Sequence, residues 1–306
     1  MLIDQKIKEY FEHKKVLVTG GAGFIGSHIS EMLVNIGAKV TILDNLSTGN
    51  LENLETIKNN ITLIEGSITD RQVCNTATKQ QDVIFHLAAL VSVPKSMEDP
   101  SRCFDDNITG LFNILESARE NKVEKLVFSS SSAVYGPQEE ACFEEMAPNP
   151  ISLYGTSKLV GEQLCNSYAN YFNVATICLR YFNVYGPRQS PDGPYAGVIA
   201  KFKEQMRNNK PITIFGDGKQ TRDFIPVNEV VRANLLLATL PKEHLSGQPV
   251  NIASNKTLTL LELYERLKKE FPEYSQNITF MPARDGDIKH SEAVCKRFDS
   301  LLQLMI

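Results

Sequence analysis

Thr19-Gly20-Gly21-Ala22-Gly23-Phe24-Ile25-Gly26 directly follows a β-prone run, Lys15–Thr19, and opens a stretch of helical spacing, Ile25–Ile36. A strand, a glycine-rich turn and a helix in that order make the loop that cradles a dinucleotide. Gly20 permits the tight turn, Gly23 lets the backbone approach a pyrophosphate, and Gly26 allows the helix to pack on the strand. The anion then sits at the helix N-terminus, where free N–H groups and the helix dipole favour it. Asp44 closes the second β-prone run, about twenty residues on, where a carboxylate bonds the adenosine ribose hydroxyls. An acid at that place repels a 2′-phosphate, so the pattern predicts NAD rather than NADP as cofactor.

Outward from this loop, Lys39–Leu43, Ile61–Glu65, Asp82–His86 and Lys125–Ser129 read as further buried strands, and Val174–Leu179 and Val250–Ile252 as two more. Helical patterns lie between them, including Asn107–Asn121 and Tyr154–Tyr171. This alternation predicts an α/β fold built on a Rossmann-type, doubly wound parallel sheet. After Tyr181 the texture changes. Gly186–Pro194 is rich in Pro and Gly, Ala196–Asn208 reads as helix, Pro211–Phe215 as a short strand, and Thr259–Phe271 as a capped helix. The expected organisation is a cofactor-binding domain over residues 1–183, rejoined at about 226–256, with a smaller interleaved substrate domain over 184–225 and 257–306.

At 306 residues and 42% hydrophobic, the chain has material for a large core. A formal net charge of −4 offers no broad cationic field for a nucleic-acid backbone or an anionic membrane, so neither is expected as a partner. A phosphorylated ligand must instead meet locally placed arginines. The first fifteen residues carry no apolar signal-peptide core, and no apolar run approaches the roughly twenty residues of a membrane helix. The six cysteines are scattered without a Cys-x-x-Cys pair, which points to reduced, buried thiols and a cytoplasmic location.

Tyr154-Gly155-Thr156-Ser157-Lys158 sets a tyrosine and a lysine four apart, on one face of a helix. A tyrosine is a poor base at neutral pH, with a reference pKa of about 10, and a nearby ammonium favours its phenolate. Such a pair removes a hydroxyl proton while hydride leaves the carbon. Upstream, Phe128-Ser129-Ser130-Ser131-Ser132-Ala133-Val134-Tyr135-Gly136 places hydroxyls at the C-terminal end of the fifth strand, the edge where open parallel sheets bind ligands. Ser131 is expected to hydrogen-bond a sugar hydroxyl and to share in proton transfer.

Together, the glycine loop, His86-Leu87-Ala88-Ala89, Ser131, Tyr154, Lys158 and Leu179-Arg180-Tyr181-Phe182-Asn183 resemble the extended short-chain dehydrogenase/reductase family, from about Lys15 to about Ser291. Val91-Ser92-Val93-Pro94-Lys95-Ser96 and Tyr181-Phe182-Asn183-Val184-Tyr185-Gly186-Pro187-Arg188-Gln189 are similar to its UDP-hexose 4-epimerases, particularly those acting on UDP-N-acetylglucosamine. The resemblance implies an NAD-dependent UDP-sugar 4-epimerase. It would interconvert UDP-GlcNAc and UDP-GalNAc, and UDP-Glc and UDP-Gal as well, through a 4-keto intermediate. Tyr154 is then the base, Ser131 its partner, and Lys158 a second hold on the nicotinamide ribose. His86 is expected to set the loop after the fourth strand rather than to catalyse.

By the same resemblance the cofactor meets Gly20, Gly23, Phe24, Ile25 and Gly26, then Asp44, Asn45, Ser47, Thr48 and Gly49. Ser67, Ile68, Leu87, Ala88, Ala89 and Val91 follow, with Asn107, Ser129, Tyr154, Lys158 and Tyr181. The sugar nucleotide meets Ser92, Ser131, Ser132 and Tyr154, and Asn183 contacts its diphosphate. Thr213 and Phe215 belong to a uridine segment, with Phe215 along the uracil and Gly197, Val198 and Phe202 as the opposite wall. Arg222 and Arg284 suit the diphosphate because a guanidinium donates two parallel hydrogen bonds, and Asp287 matches a nucleotide-ribose contact. Ser291 stands where a bulky aromatic accompanies non-acetylated sugars, and a small residue there leaves room for an N-acetyl group.

A sugar-nucleotide 4,6-dehydratase resembles this pattern but needs an Asp-Glu pair directly after the active-site hydroxyl, where Ser132 and Ala133 stand. UDP-glucuronate epimerases and decarboxylases are further alternatives, although Asn183 fits the hexose and N-acetylhexosamine group better. A non-catalytic, NAD-sensing Rossmann protein is an alternative of another class, and such proteins commonly lack the Tyr–Lys pair. Two departures stand out. Ser67 replaces an aspartate that contacts adenine, which implies weaker NAD binding, and the chain stops at Ile306, sooner than most members, which implies a reduced substrate domain. The resemblance also implies a homodimer through the helices at Asn107–Asn121 and Tyr154–Tyr171.

Overall fold

A computed structural model describes residues 2–191, 197–283 and 288–305. Its centre is a seven-stranded, wholly parallel sheet: β1 (Lys15–Thr19), β2 (Lys39–Asp44), β3 (Ile61–Glu65), β4 (Val83–His86), β5 (Lys125–Ser131), β6 (Ala175–Tyr181) and a last strand, Ser246–Ile252. Their spatial order is β3-β2-β1-β4-β5-β6 and then Ser246–Ile252, so the winding reverses between β1 and β4. A crevice forms at such a reversal, outside the carboxyl ends of the strands.

Helices cover both faces, which is why the strands read as continuous apolar runs. On one face Phe24–Asn35 and Val227–Ala238 pack with Leu2–Phe11 around a core that includes Val16, Val18, Ile29, Leu33, Ile177 and Leu235. On the other, Arg71–Thr78, Gly110–Glu120 and Leu153–Phe172 bury Leu17, Ile84, Leu111, Leu115 and Phe128. Asp70 caps the helix Arg71–Thr78 by accepting from the Gln72 and Val73 amides. A separate core of Ile199, Phe202, Ile212, Ile214, Leu263 and Tyr264 joins the helix Val198–Arg207 to the capped helix Leu260–Lys268. Small sheets accompany it: Ile212–Phe215 with Ile278–Met281, and Thr221–Asp223 between Thr257–Thr259 and His290–Ser291.

Several element boundaries differ from expectation, three of them for a clear local reason. The last strand begins at Ser246 rather than Val250, because Gly247, at φ +80, and Pro249 sit where its register against β6 shifts. β5 runs on to Ser131 since β6 keeps pairing with it as far as Ser131 opposite Tyr181. The helix expected from Asn107 enters through one π-helical turn, Asp105–Thr109, before Gly110–Glu120. All six cysteines are buried free thiols, and among the described residues no helix is long and apolar enough to cross a membrane.

Candidate active site

The glycine loop is shaped by close backbone approaches. Gly20 has a left-handed φ of +69, and a Cβ there would lie 2.7 Å from the Ala88 amide nitrogen. A Cβ on Gly26 would run into the Gly20 carbonyl, so the first turn of the helix lies directly on the loop. Gly23 caps the helix without any side-chain bond to its first N–H groups, which leaves them for an anion. Asp44 is buried behind the loop, where its two carboxylate oxygens accept from the Ala22 amide at 2.9 Å and the Leu46 amide at 2.8 Å. Each oxygen keeps a lone pair for a further donor. A cleft of about 860 Å³ runs from this loop along the carboxyl ends of the strands to Asn183 and Ser190. Glycines that no Cβ would fit, an uncapped helix end and a buried acid together fit a dinucleotide.

Asp44→Ala is expected to weaken NAD binding tenfold or more, since a hydrogen bond to a charged group is worth about 1.5–3 kcal/mol. Calorimetric titration of cofactor-stripped protein checks it, and unchanged affinity would show that Asp44 serves only the loop.

At the far end of the cleft, Lys158 is buried and its Nζ donates to the Ser129 carbonyl at 2.8 Å. Burial holds this ammonium down to about 8. The Ser131 hydroxyl lies beside the Tyr154 phenol and accepts from the Ala133 amide at 3.2 Å. The expectation that Lys158 lowers the Tyr154 pKa is not met. Burial pushes the phenol up to about 12, against the opposing pull of Ser131. In a dry site the cost of desolvating a phenolate outweighs a lysine already engaged elsewhere. Tyr181 is fixed from two sides, donating to Asn234 Oδ1 at 2.8 Å and bonded to the Ser129 hydroxyl at 3.1 Å. His86 is a neutral, structural group: burial, helped by Lys158, lowers it to about 3. Thr19 Oγ1 accepts from the Leu87 and Ala88 amides, so its one proton goes to His86 Nδ1, 2.9 Å away.

Gly20, Gly23, Phe24, Ile25, Gly26, Asp44, Asn45, Ser47, Thr48, Ile68, Leu87, Ala88, Ala89, Val91, Ser129, Tyr154, Lys158 and Tyr181 all line this cleft, as do Ser131, Ser132 and Asn183. Three expected cofactor residues do not line it. Asn107 is buried with its Oδ1 accepting from the Leu90 amide and its Nδ2 donating to Ser157, so it shapes the loop after β4 instead. The Ser67 hydroxyl turns to Thr69, while Gly66 and Ile68 on either side face the cleft. Gly49 lies behind Asp44, whose Oδ1 would be 2.9 Å from an added Cβ.

The substrate residues divide as well. Ser92 caps the helix Val93–Glu98 by accepting from the Lys95 amide. Phe202, 2% exposed, belongs to the separate core. Val198 is half-buried against that same core, with Gly197 beside the cleft-lining Gln189. Thr213 and Phe215 sit on the strand paired with Ile278–Met281. Arg222 and Ser291 are register partners on adjacent strands, and Asn183 ties that strand to the cleft by donating to the Asp223 carbonyl at 2.9 Å. Arg284 and Asp287 lie outside the described residues.

Two residues that shape the site were not assigned a role from the sequence. Arg188, within the motif Tyr181–Gln189, lines the cleft and pairs with Glu31 on the glycine-loop helix at 2.7 Å. Asn234, which fixes Tyr181, sits on a helix that hydropathy alone does not single out.

Fold and site together define an enzyme built on a dinucleotide-binding sheet with a buried tyrosine–lysine pair at one end of its cleft. The model of the NAD dependent epimerase/dehydratase family matches residues 16–253, and the chain belongs to that family. It is an enzyme of the epimerase kind with NAD as its cofactor. A Bacillus cytotoxicus UDP-N-acetyl-alpha-D-glucosaminuronate decarboxylase is 39% identical, over 82% of this chain and 78% of that protein. Among solved structures, a UDP-N-acetylglucosamine 4-epimerase from Methanobrevibacter ruminantium has a TM-score of 0.87 at 38% identity, covering 95% of this chain and 92% of its own. A Thermotoga maritima UDP-glucose 4-epimerase with UDP-glucose has a TM-score of 0.87 at 36% identity, covering 94% and 91%.

Proposed function

We propose that the chain is a UDP-sugar 4-epimerase that interconverts UDP-GlcNAc and UDP-GalNAc, with UDP-Glc and UDP-Gal as further substrates. The observation that carries this reading is the meeting of Tyr154, Ser131 and Lys158 at one end of the cleft headed by the glycine loop. Bound NAD supplies a hydride acceptor that becomes a donor, and a positively charged ring. Tyr154 takes the proton from the sugar O4 and later returns it. Ser131 holds O4 and steadies the phenolate by its hydrogen bond. Lys158, an ammonium near neutral pH, keeps its place on the Ser129 carbonyl and would hold the nicotinamide ribose of bound NAD. The sugar then exposes its opposite face, so the grip must rest on the UDP. Asn183, Arg222, Phe215 and, outside the described residues, Arg284 and Asp287 are assigned to it, on the substrate segments 184–225 and 257–306.

Ser291 beside Arg222 supports the N-acetyl preference, because a small side chain leaves volume where the sugar C2 substituent falls. Likeness to a UDP-N-acetylglucosamine 4-epimerase points the same way. Ser132 and Ala133 in place of an Asp-Glu pair argue against water elimination. Six buried free thiols agree with a cytoplasmic enzyme. Exposed Phe104, Phe112 and Phe172, on or beside the helices Gly110–Glu120 and Leu153–Phe172, favour a homodimer through them.

The test is incubation with UDP-GlcNAc, UDP-Glc and UDP-glucuronate in turn, without added NAD, with products resolved by NMR. UDP-GalNAc is the expected product. Conversion of UDP-Glc alone would keep the mechanism and sink the N-acetyl preference, and a glucuronate-derived or 4-keto-6-deoxy product would replace the epimerase reading.

A further inference from the structure

Tyr154, Lys158 and Glu162 recur every fourth residue on the helix Leu153–Phe172, so they share its face toward β5. Each meets the end of that strand. The Tyr154 phenol lies beside the Ser131 hydroxyl, Lys158 donates to the Ser129 carbonyl at 2.8 Å, and Glu162 Oε1 accepts from the Ser130 hydroxyl at 2.6 Å. This strand end has support on one edge. β4 pairs with β5 only as far as Phe128, whereas β6 continues along Ser129, Ser130 and Ser131. Arg180 is the β6 partner of Ser130, and its guanidinium grips the Glu162 carboxylate with Nε at 2.8 Å and Nη2 at 2.7 Å. Both side chains are nearly sealed from solvent, at 3% and 4% exposure.

A buried ion pair is a weak device for stability, since well-packed apolar residues of the same volume often serve as well or better. Its best-attested use is to fix one register, and here the carboxylate joins three elements at once. We infer that Glu162, locked by Arg180, is a positioning residue that holds Ser130 and so sets Ser129 and Ser131 against Lys158 and Tyr154. The inference rests on the proton-transfer roles proposed above for Tyr154 and Ser131. Glu162 touches no reacting atom and acts through the strand.

Ser130→Ala tests it, because it cuts the link to the strand and leaves the Glu162–Arg180 pair intact. Turnover of the UDP-sugar is expected to fall roughly ten- to hundredfold, the usual cost of a small misplacement of reacting groups. The KM and bound NAD content should hold, with the thermal midpoint within about 2–4 °C of wild type. A crystal structure of the variant supplies the arm that needs no substrate: the Lys158–Ser129 bond, 2.8 Å in wild type, lengthens beyond hydrogen-bond reach or Ser131 leaves Tyr154. Unchanged spacing at both contacts overturns the inference whichever sugar proves to be the substrate. So does undiminished turnover despite a displaced Ser131. Failure of wild-type protein to convert any UDP-sugar would instead count against the proposed function and leave the geometric arm to decide.

Discussion

Tyr154→Phe is expected to lower turnover of the UDP-sugar by about 10²–10⁴-fold, the range that a positioned acid–base group contributes. The substitution deletes one oxygen from a buried ring and leaves the packing around Cys103 and Ser157 in place, so the protein should fold. At most one hydrogen bond is lost, worth about 0.5–1.5 kcal/mol. Bound NAD should remain at wild-type content, because the glycine loop and Asp44 are remote from the change. The specificity of the expected result lies in that split. Stopped turnover with retained cofactor, read by product NMR and by the absorbance ratio of the purified protein, marks Tyr154 as the proton-transfer group. Turnover within a fewfold of wild type would move the base elsewhere.

The second large effect is expected at the other end of the cleft. Gly20→Ala places a side chain in the left-handed region, at φ +69, which costs an L-residue about 1–2 kcal/mol. The new Cβ would also lie 2.7 Å from the Ala88 amide nitrogen, a backbone atom with no rotamer to escape into. Overpacking of that kind costs about 1–3 kcal/mol more. The sum is a large share of the 5–15 kcal/mol that holds a typical domain together. The loop should open, NAD should be lost on purification, and the thermal midpoint should drop sharply. A variant that keeps both its midpoint and its cofactor would show that the turn does not depend on glycine.

The cofactor end was legible because its chemistry is written in backbone requirements. Gly20, Gly23 and Gly26 leave few conformations open, and Asp44 follows at a spacing set by strand and helix lengths. The Tyr154–Lys158 pair was legible for the same reason, since two positions four apart share a helix face. What escaped depends on contacts between distant segments. Asn107 and Phe202 have residue types suited to a site, but tertiary packing engages one with Leu90 and Ser157 and buries the other in a core. Asn234 reaches Tyr181 from a helix on the opposite side of the sheet, which no local pattern announces. The last strand's start was hidden by the glycine and proline that shift its register. The ionisation of Tyr154 was misjudged because a sequence shows a neighbouring ammonium but not the depth of burial that opposes it.

The most direct measurement follows one atom. UDP-GlcNAc carrying deuterium at C4 is incubated with the protein as purified, without added NAD, and the product is examined by NMR. Deuterium retained at C4 of UDP-GalNAc, with none released to water, is the expected result, because hydride leaves and returns within one closed site. UDP-GalNAc formed with protium at C4, or deuterium appearing in the solvent, would contradict transfer through bound NAD and with it the assignment of Tyr154, Ser131 and Lys158 to a reversible oxidation at C4.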